Sequence, residues 1–137
     1  MTTDTPRTLV HLADSDLTVK TEDDVRGKEV VDRNDDEVGT VDDLVIDPQG
    51  LKVRFLQVGS GGFLGLGEKK QLIPVDAVVK IDEKVHIGQD RGHVAGAPAY
   101  DPDLVSAADY YEELYGYYGY PPFWAAGYAY PAYPFYL

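Results

Sequence analysis

Between residues 25 and 94 the chain is a succession of short Val-, Ile- and Leu-rich runs, each closed by turn residues, and this spacing specifies a small all-β barrel or sandwich. The first run, 28–32, is followed by Asn34, Asp35 and Asp36, whose side chains can hydrogen-bond the backbone of a turn, so a hairpin to a second strand over 38–47 is expected. Pro48, Gln49 and Gly50 close that strand. In the next run, 51–58, Val53 and Phe55 alternate with Lys52, Arg54 and Gln57, the period of a strand buried on one face. After a glycine-rich stretch, 59–67, come runs at 71–73, 75–81 and 85–87, with Glu83 and Lys84 at a hairpin tip. Five or six strands are too few for two large sheets and suit a closed or partly closed barrel.

Outside this zone the chemistry changes. Residues 1–24 form a polar, acidic leader around one apolar patch, Leu9, Val10 and Leu12, which can pair with another element. Beyond the barrel, 25–98, a linker and helix are expected over 99–116. Asp101 can cap the helix, Pro102 suits its first position, and Leu104, Ala107, Ala108, Tyr111, Leu114 and Tyr115 recur at helical spacing before Gly116. The rest, 117–137, is an irregular tail of Tyr, Pro, Gly and Ala. From Leu114 to Leu137 no residue is charged, and all 11 tyrosines lie at or after Tyr100.

The net charge of −12 disfavours nucleic acid, which needs a basic footprint, and repels anionic lipid headgroups. With no cysteine there are no disulfides, thiolate metal sites or thiol catalysis. The amino terminus has no secretory pattern, and no window is apolar for the roughly 18 residues of a membrane span, so a cytoplasmic location is expected.

Four motifs invite chemistry and fail. The stretch GSGGFLGLGEKK lacks the spacing and the Ser or Thr after lysine of a phosphate loop, and its Phe63, Leu64 and Leu66 suit packing or partner contact. Asp32, Asn34, Asp36, Val38, Thr40 and Asp43 fall at calcium-loop spacing, but Glu37 stands where glycine is required and the flanks read as strands. The doublets Asp23/Asp24, Asp35/Asp36 and Asp42/Asp43 would point to opposite faces of a strand, which prevents joint acid–base work. His11, His86 and His93 have no metal-ligand spacing and read as surface residues, and Ser15, Ser60 and Ser106 lie in no nucleophile context. No catalytic, cofactor or metal residue is expected.

The segments VRGKEVVDRNDDEVGTVDDLVIDPQG and VRFLQVGSGGFLGLGEKKQLIPVDAVV resemble the PRC-barrel family, named after the cytoplasmic domain of the photosynthetic reaction centre H subunit. The resemblance rests on Gly27, on Asp32 with its turn and Gly39, on Val41-Asp42-Asp43 through Asp47, on the GGFLGLGEK loop, and on Leu72-Ile73-Pro74-Val75. It implies a small β-barrel acting as an adaptor, as the H-subunit domain and the carboxy-terminal domain of a ribosome-maturation factor do, and it implies no catalytic residues. The context departs from those relatives, with neither a transmembrane anchor nor an RNA-processing companion domain, so their particular partners are not carried over. The chain is more similar to free-standing bacterial and archaeal members.

The expected function is therefore a non-enzymatic protein-interaction or self-assembly module, with a homo-oligomer as the first expectation. Its contact residues would be Phe63, Leu64, Leu66, Tyr111, Tyr115, Tyr117, Tyr118, Tyr120, Phe123, Trp124, Tyr128, Tyr130 and Tyr133, because aromatic side chains bury large area at low entropic cost. The alternative is a small-ligand or membrane-surface binder whose rings lie at a headgroup layer.

Overall fold

The computed structural model describes residues 9–15, 17–19, 24–48, 51–60, 69–98, 100 and 108–131. Its strands are β1 (Val10–His11), β2 (Glu29–Val31), β3 (Glu37–Asp47), β4 (Lys52–Ser60), β5 (Lys69–Pro74), β6 (Val78–Ile81) and β7 (Val85–Ile87), followed by helices α1 (Arg91–Ala95) and α2 (Ala108–Tyr118). Six strands follow one another in the order β5-β4-β3-β2-β7-β6 and curl into a half-barrel, while β1 pairs with β3 beside this path. The expected small β-barrel with one carboxy-terminal helix is the observed architecture.

Long β3 makes the curl possible. Its first half pairs antiparallel with β2 and its second half with β1, while β4 runs along its other edge. Register shifts between Val41 and Asp43 and between Val45 and Ile46 bend it, since a bulge raises local twist. Gly39 sits where the bend brings β3 against β4. A Cβ there would collide with the Gly59 carbonyl oxygen and a Val58 methyl, so only glycine lets the strands close. Val30, Leu44, Ile46, Leu56, Leu72, Ile73, Val85 and Ile87 are buried in one continuous core. The leader patch is part of this core, because Leu9 and Leu12 are buried on either side of β1.

Two expected boundaries move for local reasons. The run 75–81 does not form one strand: Val75–Ala77 is a 3-10 turn that follows Pro74, whose missing N–H ends the ladder. The helix passes through Gly116 and stops at Gly119, whose φ of +87° suits glycine and whose N–H closes on the Tyr115 carbonyl at 2.9 Å. Residues 101–107, over which the helix was expected to begin, lie outside the described residues. Sequence patterning gave no sign of α1, a single turn capped by the Asp90 side chain accepting from the Gly92 N–H.

Candidate functional site

The site forms where the carboxy-terminal arm returns to the start of β4. In the pairing of β4 with β5, Phe55 stands opposite Pro74, so Lys52, Val53 and Arg54 project past the end of β5. Helix α2 covers Phe55: the rings of Tyr111 and Tyr115 lie 5.3 and 5.0 Å from the Phe55 ring, and Tyr111, Leu114 and Tyr115 are fully buried. After Gly119 the chain turns through Pro121 and Pro122, and residues 120–131 lie over the overhang. There the Tyr130 hydroxyl donates to the Val53 carbonyl at 3.0 Å. The Tyr128 hydroxyl donates to Asp76 Oδ2 at 2.8 Å, and the Tyr120 hydroxyl accepts from Gln89 Nε2 at 2.9 Å.

Arg54 is the centre of this seat. Expected on an exposed face, it is only 7% exposed, because the arm supplies a second cover to β4. Its guanidinium carbon lies 4.2 Å from the Phe123 ring centre, 5.4 Å from Tyr130 and 6.0 Å from Tyr128, a cation ringed by aromatic faces. One nitrogen, Nη2, reaches Asp47 Oδ2 at 3.2 Å. Nε and Nη1 are buried without a hydrogen-bond partner among the described residues, as are Asp76 Oδ1 and the hydroxyls of Tyr115 and Tyr118. Burial pushes the Asp76 carboxyl above its ordinary range, against the Tyr128 hydroxyl and Arg54, which pull it down. Burial likewise raises the Tyr115 and Tyr128 hydroxyls, which stay protonated, and Tyr128 keeps its proton as the donor to Asp76.

With this geometry, the comparison with known families has a clear boundary. The PRC-barrel domain family matches residues 19–94. The chain belongs to the PRC-barrel family. No curated protein matches it. The PRC match contains β2 to β7, and with them Val53, Arg54, Phe55 and Asp76. It ends before α2 and the arm, so the seat joins a barrel strand of the family to a segment outside the family's span.

Among the expected contact residues, Tyr111, Tyr115 and Tyr118 are buried against the PRC barrel of their own chain. Tyr117 stacks on His93 with centroids 4.2 Å apart, and its hydroxyl donates to the His93 carbonyl at 2.5 Å, which docks α2 on α1. Phe123, Tyr128 and Tyr130 are half-buried at the seat, Trp124 is half-buried against the Tyr115 and Phe123 rings, and Tyr120 is half-buried with its hydroxyl on Gln89. Phe63, Leu64, Leu66 and Tyr133 lie outside the described residues. The residues missed by sequence reasoning are Arg54, Asp76 and the Val53 carbonyl. Nothing local marks them, since the partner of Val53 is 77 positions away.

Two other polar groupings serve the fold. Asp32 Oδ1 accepts from the N–H groups of Asn34 and Asp36, and Oδ2 accepts from Arg91, tying the β2–β3 turn to α1. Burial pushes its carboxyl up, but the three backbone donors more than reverse this and hold it low. His11, expected at the surface, is buried. Tyr100 approaches its Nε2 at 2.7 Å, and Asp43 Oδ2 lies 3.2 Å from Nδ1, a close approach without hydrogen-bond alignment. A residue in the leader is thus clamped between the barrel and the linker. Among the described residues no group of three or more His, Cys, Asp or Glu could hold a metal, and no helix is long and apolar enough to cross a membrane.

Proposed function

We propose that the chain is a non-enzymatic protein-interaction module in which the PRC barrel receives an aromatic segment at the start of β4. The observation that carries this reading is the seat. A carbonyl, a carboxylate and a guanidinium on the barrel are met by Tyr130, Tyr128 and Phe123 in turn. Aromatic side chains suit such recognition because they bury large area at low entropic cost while their hydroxyls find polar partners. Acid–base or metal chemistry has less support, because Asp32 is spent on backbone donors and Asp43 on the Ala13 and Leu44 N–H groups. The membrane-surface alternative has less support too, since rings seated on Arg54 are turned away from any headgroup layer.

Light scattering after size exclusion tests the reading, with the full chain compared with a form ending at Gly119. That end keeps Tyr111, Leu114 and Tyr115, which the core needs. The full chain is expected to run as a dimer or larger and the shortened form at lower mass. Equal monomeric masses at all concentrations would remove the self-assembly form of the proposal.

A further inference from the structure

We infer that the arm is exchangeable: residues 120–131 of one chain seat on Val53, Arg54 and Asp76 of a second copy, which returns its own arm in the same way. The inference rests on the interaction-module reading and names its partner.

The closed monomer already shows the required chemistry. Every contact described above between arm and seat runs through side chains, rings over a guanidinium and hydroxyls on a carbonyl and a carboxylate. Beyond Tyr120, whose N–H bonds the Tyr115 carbonyl of α2 at 3.0 Å, the arm's backbone hydrogen bonds are local, Ala125 N–H to Pro122 O at 3.0 Å and Tyr128 N–H to Ala125 O at 3.1 Å. It can therefore move as a unit. A second copy presents an identical seat, and a two-fold arrangement satisfies both at once.

The turn that joins arm to helix can redirect it. Gly119 has a φ of +87°, a conformation that glycine adopts and leaves freely, so redirecting the arm there costs the Tyr120 N–H bond to the Tyr115 carbonyl, while α2 stays anchored by Tyr111, Leu114 and Tyr115. Pro121 and Pro122 then keep the arm stiff.

The closed form also leaves its own seat unfinished. Arg54 Nε and Nη1, Asp76 Oδ1 and the Tyr115 hydroxyl are buried and have no hydrogen-bond partner among the described residues. A buried polar atom without a partner costs free energy, and an arm arriving without the constraint of its own tether can approach these groups at other angles. Opposing this is the net charge of −12 on each copy. The uncharged stretch from Leu114 onward is the part of the molecule that can approach another copy without that repulsion, and salt should favour exchange by screening the rest.

The absence of cysteine permits a direct test. Lys52, whose ammonium lies 5.0 Å from the Tyr130 ring centre, and Ala129 are both exposed, so Lys52→Cys marks the seat and Ala129→Cys the arm. The two full-length single variants are mixed and treated with a short bis-maleimide, beside a collision control pairing Ala129→Cys with Glu83→Cys at the exposed β6–β7 tip. Exchange gives several-fold more linked Lys52→Cys/Ala129→Cys dimer than the control, and the yield rises with salt. Yields equal to the control, with linking confined to a doubly substituted single chain, would overturn it. Light scattering on the same samples separates the two readings. Multimers without the specific link mean association through another surface and overturn exchange alone, whereas monomers throughout overturn exchange together with the self-assembly form of the module reading.

Discussion

The PRC barrel and the arm are held by different means. The barrel is held together by ladders of backbone hydrogen bonds around interlocked aliphatic side chains, a form of cohesion that any suitably patterned sequence can provide. The arm is held by rings and hydroxyls, each matched to one group on β4 or beside it. Backbone ladders set a fold, whereas side-chain matching selects a sequence. The part of the molecule shared with the family thus carries the seat, and the part outside the family's span carries the rings and hydroxyls that fit it.

The largest expected effect joins the two regions. Phe55→Ala removes the ring beneath Tyr111 and Tyr115 and should cost about 3–5 kcal/mol in urea unfolding, with barrel and arm signals lost together. Survival of the arm signal would mean that α2 does not depend on β4. The arm signal is available because Trp124 is the chain's one tryptophan. Next, Gly39→Ala strikes the barrel alone: forcing β3 from β4 should cost about 1–3 kcal/mol, seen as a lower midpoint by circular dichroism, while Trp124 emission of the folded form is unchanged. Tyr130→Phe strikes the arm alone. Losing the bond to the Val53 carbonyl should cost about 0.5–1.5 kcal/mol of seating, read as a red shift of Trp124 with the barrel's midpoint nearly intact.

The smallest effect separates the regions by pH. Asp76 is raised, so its contribution is fully present below the ordinary carboxyl value of 3.8 and is lost as pH rises through its folded pKa. Asp32 is lowered, so its contribution is present above 3.8 and is lost as pH falls through its folded pKa. Acidification from neutrality should first tighten the arm, then loosen the β2–β3 turn below 3.8. Asp76→Asn should abolish the first change and leave the second, with Trp124 emission and circular dichroism followed in parallel. A single change common to both probes would show that the regions titrate as one.

Sequence was a good guide where structure is local. Alternation marked β4, the Asn34-Asp35-Asp36 turn marked the first hairpin, and helical spacing marked α2. It was a poor guide where burial depends on a distant partner. Arg54 has the pattern of a solvent-facing strand residue, and only the arm's return buries it. His11 owes its burial in part to Tyr100, 89 positions away. The α1 turn carries Gly92 in its middle and draws on a cap rather than on periodicity, so patterning could not reveal it. The seat was half legible: the aromatic segment stood out, and the groups that receive it did not.

The 77 positions between Val53 and Tyr130 also set an order of events during synthesis. At roughly 5–20 residues per second, the overhang of β4 leaves the ribosome on the order of 4–15 s before its own cover exists. During that interval Val53 and Arg54 lack the cover that Tyr130 and Phe123 later give them, and the seat itself is incomplete until Asp76 has also been made.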